Sequence, residues 1–326
     1  MENNKIFQKF IKKKNEKILF TPGPASLLKE NIIGIEPCFG RGDKHYDQIE
    51  KYVLTKIRKM TGHDFIARFQ GSGSLALQIM SVNFLYGNVL ILDSGYYSDR
   101  LLNICKNTKK YDKKIKKIQY INWNKLEHIS GKFDWIFFCY TETSKGLKLP
   151  IKKIKKLSKT LGAKIMLDAT ASVGLEKNHD LADVIGFSSC KGLFGLTGGA
   201  FICFNNKPKN TCDSFYLNIE NHLEKKMTGP YHTICSLKNV LDKHSDLREA
   251  VMINKDKFLK KFSNYLVYNK DFQPNICTYV TKKIKTKNKN VVLYKSRGDT
   301  QGSIISHIGE VHLGKKAKGL IIDNLI

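Results

Sequence analysis

The chain has 326 residues, 41% of them hydrophobic and 26% charged, which suits one sizeable core with a smaller appended domain and excludes a disordered or repetitive fibrous protein. Its formal net charge is +27, yet six of the 56 basic residues are arginines (Arg41, Arg58, Arg68, Arg100, Arg248 and Arg297) and the other fifty are lysines. Planar recognition of bases and phosphates favours arginine, so the charge reads as a lysine-coated surface and argues against a nucleic-acid or membrane partner.

In chain order, residues 1–17 form a basic segment without the apolar stretch of roughly 7 to 15 residues that a secretory signal needs. Residues 45–61 have helical period and lead into an alternation that starts near residue 64. Strands are predicted at Phe65–Phe69, Val89–Leu92, Trp135–Tyr140, Lys164–Leu167, Val184–Phe187 and Ala200–Phe204, with helices between them, notably Ser74–Phe84 and Ile151–Leu161. Such alternation specifies an α/β domain, a largely parallel sheet covered by helices. After Lys243 the texture changes to a helix over Asp246–Tyr265 and weaker strands near Ile276–Val280, Val291–Tyr294 and Ser303–Ser306. The expected division is therefore a basic segment (1–17), a large domain (18–243) and a small α+β domain (244–326). Val184 to Phe204 comes nearest to a membrane span, but it is rich in Gly and Ser and holds Lys191 in its interior. Eight cysteines show no CxxC spacing and several sit in strand-like runs, so they read as reduced core residues of a cytoplasmic protein with no metal site.

Open α/β sheets bind ligands beyond the carboxyl ends of their strands, and several polar segments fall there. Gln70-Gly71-Ser72-Gly73-Ser74 separates a strand from an apolar helix, where exposed amides and a helix N-terminus suit a phosphate. A Gly/Ser turn of this kind can also be purely structural, and the spacing matches neither GxGxxG nor GxxxxGK[ST]. Asp168 ends a buried strand, where an acid needs a positive partner such as a protonated ring nitrogen; an Asx turn is the alternative. Lys191, in Ser188-Ser189-Cys190-Lys191-Gly192, stands among small residues between two apolar runs, where desolvation would make its amine nucleophilic; a snorkelling lysine is the alternative. Tyr97 could stack on a flat ring or serve as a core tyrosine. Thr143 follows another strand, where turn chemistry alone would also account for it. Taken together, a phosphate cradle, an aromatic, an acid and an amine on successive strand ends are what pyridoxal phosphate asks of its protein.

These residues resemble the class V aminotransferases of pyridoxal-phosphate fold type I (aspartate-aminotransferase-like), and within them 2-aminoethylphosphonate–pyruvate transaminase and the serine/alanine–glyoxylate enzymes. The resemblance runs over roughly residues 18 to 312. It is carried by Thr21-Pro22-Gly23-Pro24, Gly71-Ser72-Gly73-Ser74, Thr141-Glu142-Thr143-Ser144-Lys145-Gly146, Asp168-Ala169-Thr170-Ala171-Ser172-Val173-Gly174 and Ser188-Ser189-Cys190-Lys191. It implies that Lys191 carries the cofactor as a Schiff base and Asp168 meets its ring nitrogen. Tyr97 would stack on the ring, Thr143 would lie near its hydroxyl, Ser72, Gly73 and Ser74 would hold its phosphate with Ser188 nearby, and Pro22 and Gly23 would line the substrate pocket. Met227-Thr228-Gly229-Pro230 resembles the segment that reaches a partner's phosphate, so Thr228 implies a homodimer with shared sites.

The departure lies in the small domain, which looks shortened between Tyr279 and Val291. Where relatives carry Phe-Arg-Ile-Gly-x-Ile-Gly, this chain has Ser303-Ile304-Ile305-Ser306-His307-Ile308-Gly309, so Ile304 replaces the arginine that anchors a substrate's anionic group. Arg41 and Arg297 are the candidates for a substitute anchor. The expected activity is transfer of an amino group from a small 2-aminoethylphosphonate-, serine- or alanine-like donor to a keto acid such as pyruvate. Lyase or decarboxylase chemistry on a related small substrate is the alternative.

Overall fold

The computed structural model describes residues 9, 17–35, 42–209, 212–224, 227–298, 300–313, 322, 325 and 326. In chain order the elements are β1 (Ile18–Phe20), α1 (Lys29–Ile33), α2 (Lys44–Thr61), β2 (Phe65–Gln70), α3 (Gly73–Phe84), β3 (Gly87–Asp93), α4 (Tyr96–Asp112), β4 (Ile115–Asn122) and β5 (Trp135–Cys139). The hairpin β6 (Thr141–Glu142) and β7 (Leu147–Lys148) follows, then α5 (Ile151–Leu161), β8 (Lys164–Asp168), β9 (Val184–Ser188), β10 (Gly199–Phe204), α6 (Ile219–Leu223), α7 (Tyr231–Asp242) and α8 (His244–Lys261). The last strands are β11 (Cys277–Val280), β12 (Val291–Leu293) and β13 (Ser303–Ser306).

Seven strands form the central sheet in the order β2-β10-β9-β8-β5-β3-β4, all parallel except β10, which runs antiparallel to both of its neighbours. Strands β5, β9 and β10 are buried at every position, which explains why they read as unbroken apolar runs. Helices cover both faces. On one, α3 and α4 contribute Ala76, Leu77, Met80, Leu101 and Cys105 to a core with Phe69, Ile91 and Phe137. On the other, α2, α5 and α7 set Val53, Ile57, Ile154 and Leu237 against Phe138, Ile165 and Phe187. The α5 sequence shows the cause: Ile151, Ile154, Ser158 and Leu161 fall on one buried stripe and the lysines between them face outward. Asp43 starts α2 by accepting from the His45 and Tyr46 amides, and Gly62 ends it in the left-handed region at φ 72°.

Sequence reading does not predict β4. It is an edge strand whose Lys116 and Lys117 are exposed, and charge on an edge deters pairing with another chain while erasing the apolar signal. Helices α4 and α7 also lie outside the segments named from sequence. Strand β1 pairs in parallel with β12, and β11 pairs antiparallel with β13. Ile18 and Phe20, counted above with the large domain, thus pack with Phe258, Phe262, Val280 and Ile305 of the C-terminal elements.

Candidate active site

Because β2, β3, β5, β8 and β9 all run the same way, their carboxyl ends share one edge of the sheet. The phosphate-loop segment, Tyr97, Thr143 and Lys191 each follow one of those ends, and Asp168 is the last residue of β8. One cavity there is lined by Tyr97, Arg100, Cys139, Thr141, Thr143, Asp168, Thr170, Ala171 and Lys191.

Lys191 stands on a tight turn after β9. The Ser189 amide bonds Gly199 O, the Gly195 amide bonds Ser189 O, and the Phe194 amide bonds Lys191 O, at 2.8 to 2.9 Å. The N-terminal TPGP segment lies across this turn, with the Ala25 amide 2.7 Å from Cys190 O. Gly23 approaches so closely, at φ +131°, that a Cβ there would sit 2.8 Å from Lys191 Cγ, so only glycine leaves room for the lysine stem. Pro22 beside it is buried. The ammonium of Lys191 lies 5.6 Å from the centre of the Tyr97 ring, within reach of the attraction between a cation and an aromatic face.

Asp168 is 2% exposed. Its Oδ1 accepts from the Thr170 amide at 3.0 Å, so the Asx-turn reading of this residue is realised too. Its Oδ2 accepts from Arg100 Nη2 at 3.2 Å. Sequence reading missed Arg100 as a site residue, and its side chain also donates from Nη1 to Ser74 Oγ at 3.0 Å and lies 4.8 Å from the Tyr97 ring centre. The signal that could have found it is its spacing: three residues after Tyr97 on a helix, it shares that residue's face.

Glu142 was likewise missed. It is fully buried, and its Oε2 accepts from the Tyr97 and Ser98 amides at 3.1 and 3.2 Å and from Ser94 Oγ at 3.4 Å, capping the start of α4. Its Oε1 accepts from the Ser144 amide and hydroxyl. Burial pushes its carboxyl above the usual carboxylate range, while the Ser144 donors pull it down. Burial also pushes the Cys139 thiol well up, which keeps it a neutral wall of the cavity.

Several cavity groups await a partner. The Thr141, Thr143 and Thr170 hydroxyls and Arg100 Nε are buried without a hydrogen bond, an arrangement that costs free energy unless a polar ligand completes it. At the phosphate loop, the Ser72 side chain leaves the first amides of α3 uncapped. A Cβ on Gly73 would lie 2.9 Å from Thr170 Oγ1 and 3.5 Å from Ser188 Cβ, so the loop packs directly beside Ser188. An amine, an acid, an aromatic, unpaired hydroxyls and an uncapped helix start fit pyridoxal phosphate.

The remaining predicted residues lie elsewhere. Thr228 is exposed, next to Gly229, which rests on the guanidinium of Arg68; that arginine forms a buried ion pair with Glu50. Arg41 falls outside the described residues. Arg297 is exposed on the loop after β12, its Nη1 3.4 Å from the Tyr96 hydroxyl and its guanidinium 5.4 Å from that ring's centre, and the phenol raises its pKa. Ile304 is 1% exposed and packs in a cluster with Leu28, Ala171, Phe194, Ile276 and Cys277. Among the described residues no group of three or more His, Cys, Asp or Glu could hold a metal ion, and no helix is long and apolar enough to cross a membrane.

The fold is that of the type I pyridoxal-phosphate enzymes. The structure superimposes on ureidoglycine–glyoxylate aminotransferase of Bacillus subtilis with a TM-score of 0.77 at 17% identity, over 94% of this chain and 90% of that one. Alanine–glyoxylate aminotransferase of Nostoc gives 0.76 at 15% identity, over 94% and 95%. By sequence the chain is similar to 2-aminoethylphosphonate transaminases. It is 26% identical over 260 residues to a bifunctional phosphonoacetaldehyde hydrolase/aminoethylphosphonate transaminase of Clostridioides difficile, covering 72% of this chain. It is 22% identical over 253 residues to 2-aminoethylphosphonate–pyruvate transaminase of Pseudomonas aeruginosa, covering 70% of this chain. The match spans 41% of the length of the first relative and 68% of the second. No family model matches the chain.

Proposed function

We propose that the protein is a pyridoxal-phosphate-dependent aminotransferase that moves an amino group from a small 2-aminoethylphosphonate-, serine- or alanine-like donor to a keto acid such as pyruvate. The observation that carries this reading is the single cavity in which Lys191, Asp168 and Tyr97 meet beside unpaired threonine hydroxyls. The aminotransferase names of the sequence relatives support it.

Lys191 would hold the cofactor covalently, Asp168 would hold its ring nitrogen, Tyr97 would stack on the ring, and Thr143 would serve its hydroxyl. Ser72, Gly73 and Ser74, with Ser188 beside them, would hold its phosphate. When bound, pyridoxal phosphate supplies an electron sink for a carbanion at the donor's Cα. The chain's own work is to move protons. Lys191 Nζ, held near the Tyr97 face, would hold the cofactor and, once released, would take the proton from the donor's Cα. Asp168, buried and paired with Arg100, would face the ring nitrogen and favour its protonated form. Pro22 and Gly23 bound the cavity on the lysine side.

With Ile304 in place of the expected arginine, Arg297 supports a different mode of anion recognition, since its exposed guanidinium sits on Tyr96, next to Tyr97. Arg41 remains part of this proposal on sequence grounds. The exposed Thr228 segment fits a homodimer in which each partner contributes to the other's phosphate site, in a cytoplasmic setting. The division into a large domain (18–243) and a small domain (244–326) belongs to the same reading.

Purified protein with pyridoxal phosphate is expected to absorb at about 410–430 nm, and Lys191→Ala to lose that band. A band retained by the variant refutes the lysine assignment. Given 2-aminoethylphosphonate, serine or alanine without an acceptor, a transaminase accumulates the pyridoxamine form of the cofactor, whereas a lyase or decarboxylase does not.

A further inference from the structure

Resting on the pyridoxal-phosphate reading above, we propose that Arg100 is a positioning residue that ties together the two ends of the cofactor cavity, one guanidinium fixing both Asp168 at the ring-nitrogen end and Ser74 at the phosphate end. The fork is literal: Nη2 reaches Asp168 Oδ2 at 3.2 Å and Nη1 reaches Ser74 Oγ at 3.0 Å. Its plane is set by Tyr97, whose ring centre lies 4.8 Å from Cζ and one helical turn earlier on α4. Tyr97 and the start of α4 are themselves held by the Glu142 carboxylate.

Each contact prepares its partner for a ligand. Ser74 Oγ accepts from Arg100, so the hydroxyl proton is free to turn toward another acceptor, such as a phosphate oxygen. Asp168 receives one donor on each oxygen, Thr170 N on Oδ1 and Arg100 on Oδ2, which fixes the carboxylate plane and leaves a lone pair on each for the ring nitrogen's proton. At 2% exposure an ionised carboxylate is costly unless paired, and the guanidinium supplies that pairing before any ligand arrives. Lysine could not substitute, because a single ammonium on a flexible stem lacks the two parallel donors that span Asp168 and Ser74.

The experiment is a titration of the full-length chain with pyridoxal 5′-phosphate and, separately, with pyridoxal, which lacks the phosphate. Variants are Arg100→Gln, Arg100→Lys, Ser74→Ala and the Arg100→Gln/Ser74→Ala double, each checked for native circular dichroism. Arg100→Gln is expected to weaken pyridoxal phosphate about tenfold or more, the loss of one charge-assisted hydrogen bond. It should also weaken pyridoxal, through Asp168. Arg100→Lys should recover only a minor part of the loss, and the double variant should lose less than the sum of the two single losses, since Arg100 orients the Ser74 hydroxyl. Full rescue by lysine would show that charge alone suffices and overturn the proposal, as would Arg100→Gln binding within about twofold of wild type or additive single losses. Wild-type protein that binds no pyridoxal phosphate would instead sink the cofactor reading, and this role with it.

Discussion

Replacing Glu142 by Gln tests whether a buried carboxylate sets the position of Tyr97. Among the described residues, every hydrogen-bond partner of the Glu142 carboxylate is a donor: the Tyr97, Ser98 and Ser144 amides and the Ser94 and Ser144 hydroxyls. Glutamine offers a single acceptor oxygen. Turned toward α4, that oxygen keeps the Tyr97 and Ser98 amides, and the Ser144 hydroxyl can rotate to accept from the new NH2. The Ser144 amide cannot rotate, so one buried N–H is left facing another donor, at a cost of about 1–3 kcal/mol. The surviving bonds lose their charge, worth roughly another 1 kcal/mol. The expected destabilisation is therefore about 2–4 kcal/mol, read as a lower urea midpoint at unchanged slope. A looser α4 start also frees Tyr97 and Arg100, so cofactor affinity should fall in parallel. A variant within about 0.5 kcal/mol of wild type, with unaltered cofactor affinity, would refute the idea that this carboxylate organises the site.

The remaining predictions concern pH and the small domain. His179, bonded to Ser172, and His307, bonded to Thr278, are both driven down by burial to pKa values of about 3. In the unfolded chain they would protonate near pH 6.5, so between about 6.5 and 3 the unfolded state binds more protons and stability falls as pH falls. Each contributes about 1.4 kcal/mol per pH unit within that window, which denaturant titrations at pH 7 and 5 would detect. Resonances assigned to these two imidazoles that titrate near 6.5 in the folded protein would contradict this. Ile304→Arg, which restores the residue type expected from the resemblance, should destabilise by about 3–5 kcal/mol, because the position is 1% exposed within an apolar cluster. An unfolding midpoint equal to wild type would mean that the new side chain finds a route to the cavity or to solvent.

Much of this protein was legible along the chain because its core strands are buried on both faces and read as apolar runs, and because each chemical segment follows such a run. Strand β4 escaped notice since an edge is marked by charge, and α4 since its first turn, around Tyr96, Tyr97 and Ser98, carries polar residues whose apolar partners are distant in sequence. Arg100 and Glu142 were illegible for a related reason. An arginine on a polar helix and an acid in a turn look like ordinary surface residues until the sheet order brings α4 beside β5, β6 and β8.

The sequence by itself determined the alternation of strands and helices, the amine at position 191, the acid at 168, the glycine loop at 71–73 and the apolar residue at 304, since each is fixed by residue type and local spacing. Only the tertiary structure decided that these groups share one cavity, that an arginine braces the acid, and that Ile304 is sealed in a core. Those facts depend on which strands pair and how closely helices pack, and that is set by long-range burial, which no local window of residues contains.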